Sequence, residues 1–305
     1  KNENHAFGTT CLVSYKWSLP EKYCFGKNKR SLKYVDIPVD IKLSLNQGSR
    51  QLDAFITIDN KIKDHRMRVL FPTGIDTDFS FSGTPFDVVS RNRYYNQYPA
   101  KENQKVKEHG NTGYINVDGD EYGLAIFNEG LYEYEYLTDA QNTVALTLLR
   151  SNEYIQRPNS SLNSQGIPNK VGLIPENQCQ GIHTFKLSLY SHAGDLYQSS
   201  TIKRAQCFQN PIFTYYQPVD TRKFSGGRPF VQGVELDEVF YRGKKYSEVS
   251  LPLEKQMIDI EGEDIVLSCI KKKEKADSLI VRVYNASKES KTCSLHFFKS
   301  LGEAY

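Results

Sequence analysis

Two runs constrain the fold of this chain more than any other part: GLAIFNEGLYEYEYL at Gly123 to Leu137, and TVALTLLRS at Thr143 to Ser151. β-Branched and aromatic side chains crowd both, a composition that suits a pleated, half-buried surface rather than a helix. Asn128-Glu129-Gly130 breaks the first run, and the pair is predicted to form a hairpin of long strands. Elsewhere YVDIPVDIKLSLNQ at 34–47 alternates apolar and polar with period two, and LDAFITIDN at 52–60 repeats the pattern after Gly48-Ser49. These are expected to be antiparallel neighbours, with HRMRVLFPTG at 65–74 continuing the meander until Pro72-Thr73-Gly74 stops it.

Further strands are predicted at 80–81, 87–91, 113–117, 183–190, 235–241, 265–270, 279–284 and 294–298. No window of a dozen residues sustains a helical apolar face with caps, so the chain reads as all-β. Strands joined by turns without intervening helices favour antiparallel sandwiches over a parallel α/β architecture. A chain of 305 residues is long enough for two cores. Turn formers cluster from 216 to 233, which predicts a large sandwich over 1–220 and a smaller one over 221–305. The polar stretches 92–112 and 151–178 read as long loops between strands, where binding surfaces are commonly built.

Charge and composition exclude several classes. Net charge is +3, from 39 basic and 36 acidic side chains mixed along the chain, so no strong field gathers nucleic acid or an anionic membrane. No run approaches the ~18 apolar residues of a membrane span, and the chain opens at Lys1 without a signal-like segment, as a piece of a longer polypeptide would. The six cysteines are widely spaced and lack CxxC, which argues against structural zinc and redox chemistry and for reduced thiols in a cytoplasmic protein, with a loop closed by Cys11 and Cys24 as the alternative in a secreted one. Lys271-Lys272-Lys273 reads as a solvated turn, and Asp118-Gly119-Asp120-Glu121 as a tight hairpin turn rather than a calcium loop.

Chemistry-bearing patterns are sparse. The six histidines form no HxH, HxD or HxxxH spacing, and no GxSxG, P-loop or GxGxxG occurs. Glycoside cleavage needs two carboxyl groups facing one bond. Glu133 and Glu135 stand two apart on a presumed strand and share a face, with Tyr132, Tyr134 and Tyr136 on the other. Arg150 ends an otherwise apolar strand, where its forked donors suit a carboxylate or sugar hydroxyls.

An ordered set of segments then carries a family resemblance: VDIPVDIKLSL, IDNKIKDHRMRVLFPTGI at 58–75, PFDVVSR at 85–91, GLAIFNEGLYEYE, ALTLLRS, PENQCQGIHTF at 175–185, VLSCIKKKE and VRVYNAS. From about residue 35 to the end, the chain resembles the C-terminal β region of the bacterial family 38 α-mannosidases. The resemblance implies a large galactose mutarotase-like super-sandwich followed by a smaller sandwich. It implies a retaining, zinc-dependent hydrolase whose barrel carries the metal and the catalytic aspartates. That barrel has no counterpart in these residues, so no catalytic or zinc-binding residue and no cofactor is expected here.

The expected partners are the enzyme's own N-terminal catalytic domain and a mannoside substrate, within a protein that could be a homodimer. Arg150, Glu133, Arg91 and Gln178 are the candidates for a cleft or barrel-facing surface, and Asp64, His65 and Arg66 for holding the sandwich together. Two other readings remain open. One is an autonomous carbohydrate-binding module, given 20 Tyr and 16 Phe. The other is an epimerase-like sandwich enzyme, in which His183 and Glu133 would have to converge.

Overall fold

A computed structural model describes residues 1–94, 107–152, 174–212, 256–262 and 264–298. The chain enters through a hairpin of β1 (Asn2–His5) and β2 (Gly8–Pro20), then a small ribbon of β3 (Tyr23–Cys24) and β4 (Lys29–Arg30). β5 (Tyr34–Asn46) and β6 (Gln51–Asn60) are antiparallel neighbours, as their period-two alternation predicts. β7 (His65–Pro72) does not continue that meander and instead joins a second sheet. β8 (Phe79–Thr84) and β9 (Asp87–Asn92) return to the first sheet, β10 (Glu108–Gly110) belongs to the second, and β11 (Tyr114–Asp118) and β12 (Tyr122–Asn128) lie in the first. β13 (Glu133–Tyr136) and β14 (Thr143–Ser151) complete the second sheet, and β15 (Gly181–Ala193) crosses the middle of the first.

The result is a nine-stranded antiparallel sheet, β1-β2-β5-β6-β15-β12-β11-β8-β9, stacked on a four-stranded one, β10-β13-β14-β7. Their inner faces share one core. Ile37, Ile58, Ile115, Val117 and Ile126 from the larger sheet meet Met67, Tyr134, Tyr136, Val144 and Leu146 from the smaller. The fold is an all-β sandwich.

The expected long hairpin over 123–151 is three strands rather than two. β12 pairs with β11 and β15, whereas β13 pairs with β14, so Asn128-Glu129-Gly130 is the crossing between sheets. Two buried asparagines make this crossing possible. Asn128 Nδ2 donates to Asn111 Oδ1 (2.9 Å), Asn128 Oδ1 accepts from Leu131 N (3.1 Å), and Asn111 Nδ2 donates to Leu131 O (2.9 Å). These bonds satisfy backbone groups that have no ladder partner between the sheets. The turn at Gly119–Glu121 is the tight hairpin the sequence suggests, closed by Gly119 N donating to Tyr122 O at 3.0 Å.

Among the described residues one α-helix breaks the all-strand expectation: α1 (Thr201–Gln209). Its apolar residues Ile202, Ala205 and Phe208 recur three apart, too short a run for a dozen-residue window to reveal. The helix covers the outer face of the nine-stranded sheet, packing with Tyr114, Ala125, Phe127 and Tyr190. After β16 (Ile258–Glu261), the hairpin of β17 (Ile265–Lys272) and β18 (Leu279–Asn285) adds Val266 and Tyr284 to the same cluster, ahead of β19 (Ser294–Phe297).

The chain accordingly divides into two compact units, one of Lys1–Asn210 with Glu263–Lys291 and one of Pro211–Gly262 with Thr292–Tyr305. Strands expected in one second domain beyond residue 220 are thus shared between both units, because β17 and β18 bury their apolar side on the first. The described part of the second unit is an antiparallel ribbon of β16 and β19, in register from Ile258 opposite Phe297 to Glu261 opposite Ser294. The predicted strand at 235–241 and the loop-rich boundary at 216–233 lie outside the described residues. Among the described residues, no helix is long and apolar enough to cross a membrane.

Candidate functional site

On β13 the alternation is as the sequence predicts: Tyr134 and Tyr136 face the core, and Glu133 and Glu135 face outward. The outer face of the four-stranded sheet is therefore polar. Arg66 on β7 donates through Nη1 to Glu108 Oε1 (2.6 Å) and through Nε to Thr147 Oγ1 (3.1 Å), and its Nη2 lies 3.0 Å from Glu133 Oε1. Thr147 Oγ1 donates to Glu133 Oε1 (2.8 Å), Arg150 Nη1 reaches Glu133 Oε2 (3.2 Å), and Arg68 Nη1 holds Glu135 Oε2 (2.7 Å). The acidic side chains lie on β10 and β13 and the basic ones on β14 and β7, and each of them meets a partner of opposite sign.

A β-bulge builds this face. Thr147 pairs with Arg68 and Leu149 with Met67, which leaves Leu148 as an extra residue on β14. Strict alternation from Thr147 would put Arg150 in the core beside Leu146 and Leu148. The bulge reverses the parity, so both leucines stay in the core and Arg150 emerges on the face of Glu133. Sequence reasoning singled out Glu133 and Arg150 separately and missed Arg68, Glu108 and Thr147. The period-two HRMR of β7 was the available signal.

The Glu108 carboxylate is held as an ion, not poised as an acid. Burial pushes the Glu108 carboxyl upward, yet the Arg66 guanidinium and nearby backbone N–H groups together outweigh it and hold the group below its ordinary range. Glu133 is bracketed by two guanidiniums and a hydroxyl. Arg150 is itself 62% exposed, so its pair with Glu133 contributes only about 0.2–1 kcal/mol. Arg150→Ala should therefore shift the urea midpoint by less than about 1 kcal/mol in stability, since Glu133 keeps Arg66 and Thr147; a loss of several kcal/mol would show that Arg150 carries the face.

Arg91 and Gln178 do not join this surface. Arg91 sits on β9 opposite Ser80, at the edge of the nine-stranded sheet. Its charge bears on His109, whose imidazole is held low first by burial and then by Arg91. Gln178 is buried at the end of a 3-10 turn, Pro175–Gln178, where it ties strand ends together. Its Oε1 accepts from Asp64 N (2.9 Å) and Ser151 Oγ (2.8 Å), and its Nε2 donates to Asp64 Oδ1 (2.7 Å). Asn60 Nδ2 reaches the carbonyls of Gln178 (3.2 Å) and Cys179 (2.7 Å), and Arg30 donates to the carbonyls of Pro20, Lys63 and Asp64. His65, beside this hub, has its pKa pushed down to about 4 by burial and by Arg30.

His183 and Glu133 do not converge. His183 contacts the Cys179 carbonyl (2.8 Å) at the end of β15 in the nine-stranded sheet, while Glu133 faces outward from the other sheet. A second polar group lies on the outer side of the nine-stranded sheet. His192 Nε2 meets Asn116 Oδ1 (2.8 Å), Asn116 Nδ2 donates to Asp118 Oδ1 (2.5 Å), and Asp118 Oδ2 accepts from Leu196 N (2.9 Å). Burial pushes the Asp118 carboxyl up. Gly123 stands where a Cβ would lie 2.3 Å from the His192 ring, so the cluster is closed and packs the sheet rather than opening to a ligand. Among the described residues no three His, Cys, Asp or Glu side chains converge to hold a metal.

Comparison with known proteins follows the same lines. The family model described as "Glycosyl hydrolases family 38 C-terminal domain" matches residues 24–159, and "Glycosyl hydrolases family 38 C-terminal beta sandwich domain" matches residues 264–305. A protein provisionally named a mannosylglycerate hydrolase in Halalkalibacterium halodurans is 28% identical over 276 residues, 90% of this chain and 26% of that protein. The crystal structure of an α-mannosidase from Enterococcus faecalis V583 superposes with a TM-score of 0.75 at 25% identity, over 97% of this chain and 30% of that one. A second Enterococcus faecalis structure, of a family 38 protein, shares the fold with a TM-score of 0.74 at 24% identity, over 97% of this chain and 32% of that one. The chain thus spans between a quarter and a third of the length of these relatives. It belongs to glycosyl hydrolase family 38, as the C-terminal β-sandwich region of that family.

Proposed function

We propose that this chain is the non-catalytic β region of a retaining, zinc-dependent α-mannoside hydrolase, serving as scaffold and as one wall of the substrate cleft. The observation that carries the reading is an apolar stripe. Val13, Tyr15 and Trp17 on β2 stand opposite Ile41, Val39 and Ile37 on β5, so they continue the inner face of the nine-stranded sheet. Ile37 and Val39 are buried under the four-stranded sheet, but Val13, Tyr15 and Trp17 remain 41%, 45% and 43% exposed. Three large apolar side chains in line on one strand form the kind of surface that marks a docking face. The part of the enzyme outside this chain is its natural occupant, since the relatives are three to four times as long.

The polar face agrees with a supporting role. Glu133 and Glu135 are each held by arginine, whereas a retaining glycosidase needs one carboxyl group protonated and a second free to attack, about 5–5.5 Å apart. The six cysteines stand unpaired, the state that a reducing cytoplasm maintains.

The test is hydrolysis of p-nitrophenyl α-mannoside with added zinc, by this chain alone and by the full-length enzyme. The expected result is turnover by the full-length enzyme and none by the chain. Turnover by the chain alone would overturn the reading and send the search back to its own carboxylates.

A further inference from the structure

The hairpin of β8 and β9 ends in a two-residue loop, Pro85-Phe86, with Thr84 opposite Asp87. Phe86 has φ +70, the position of a tight turn that normally goes to glycine or asparagine. Its ring is 49% exposed. A bulky aromatic that leaves half its surface in solvent gains little burial in return for a strained backbone conformation, and strain of this kind clusters where it serves binding. The ring is nevertheless oriented: it meets Tyr284 edge-on at 5.9 Å between centroids, and the Arg282 guanidinium lies 5.1 Å from its centre.

Phe86 and Tyr284 stand at one side of a groove of about 690 Å³, within the size range of small-ligand sites. Helix α1 forms another side and contributes Gln206, Gln209 and Asn210. Gln206 and Gln209 each donate an amide N–H to a backbone carbonyl, of Leu267 (3.4 Å) and Thr112 (3.2 Å), which fixes the planes of these amides. Gly113 leaves the room that Gln209 needs, for a Cβ there would collide with its side-chain amide. Asp87 also lines the groove, its carboxylate oriented by the Val88 N–H at 2.7 Å. An aromatic surface flanked by fixed amides and a carboxylate matches a pyranose, which offers a face of C–H groups and a rim of hydroxyls that both donate and accept.

We propose that this groove is a pyranoside-binding site, with Phe86 as its stacking surface and Gln206, Asn210 and Asp87 as hydroxyl partners. That the pyranoside is an α-mannoside rests on the functional reading above. Such a site holds a polymeric or branched substrate at a second point, which raises its local concentration at the cleft.

The experiment is native gel electrophoresis of the 305-residue chain through gels cast with soluble α-mannan, with dextran, or with neither. Phe86→Gly is the informative variant, because glycine suits φ +70: it should melt no lower than the parent while losing at least tenfold in mannan affinity. Retardation by mannan that Phe86→Gly abolishes is the expected result. No retardation of the parent chain, or equal retardation of the variant, overturns the proposal. Retardation by dextran alone overturns the α-mannoside assignment. The full-length enzyme's turnover of p-nitrophenyl α-mannoside is read separately, so an active enzyme with an unretarded chain refutes the groove and leaves the scaffold reading standing.

Discussion

Tyr134→Ala is expected to destabilise the sandwich by about 3–5 kcal/mol, the usual cost of deleting a large buried aromatic. Tyr134 is fully buried on β13, among the largest side chains in the shared core, and its ring lies 5.9 Å from that of His109. Burial pushes its phenol upward in pKa, so the hydroxyl stays neutral and shares a hydrogen bond with Ser80 Oγ at 3.0 Å. That bond links the two sheets, β13 to β8. Tyr134→Phe keeps the ring and removes only this link, at about 1 kcal/mol, because Ser80 is buried and loses its partner. Thermal melts should therefore separate the variants, with the alanine transition lower by on the order of 10 °C and the phenylalanine transition by only a few degrees. An alanine variant within 1 kcal/mol of the parent would mean that the two sheets are not held by a common core.

Tyr134 also shows what the sequence could and could not reveal. YEYEY announces a strand with one polar and one aromatic face, and Glu133 to Tyr136 follow that alternation, while Tyr132 precedes the strand and is exposed. It does not say which sheet the strand joins, because period two is the same in either. The partner of Tyr134 is Ser80, 54 residues away, and the pairing depends on a crossing at Asn128-Glu129-Gly130 that a local reading takes for a break in a hairpin. The bulge at Leu148 is equally hidden: TLLRS in strict alternation sends Arg150 inward, and only the register against β7 shows that one residue is skipped. Arg150 and Glu133 were legible as chemistry-bearing residues but not as each other's partners. The groove at Phe86 was not legible at all. It assembles β8, β9, α1, β17 and β18, and the one local clue, a bulky residue after proline in a two-residue loop, acquires meaning only from the backbone angle.

Gln178 illustrates the opposite error, a residue singled out for a surface that proves to be interior. Gln178→Ala is expected to cost about 2–4 kcal/mol, from a cavity and from the Asp64 N–H and Oδ1, which lose their partner, while Ser151 Oγ keeps the residue-178 carbonyl. The carboxamide is required in one orientation, since its oxygen accepts from Asp64 N and its nitrogen donates to the Asp64 carboxylate. Gln178→Glu keeps the shape but sets a second carboxylate against Asp64, with no proton between them at neutral pH. Two like charges that close favour uptake of a shared proton on folding, so this variant should be destabilised at pH 7 and regain stability as the pH falls toward 4. The alanine variant has no group to protonate there and should show no such recovery relative to the parent. Urea unfolding at the two pH values distinguishes the cases. If Gln178→Ala and Gln178→Glu both match the parent in stability while the full-length enzyme loses affinity for its mannoside, then Gln178 is a cleft residue and the hub of strand ends is held by Asn60 and Arg30 alone.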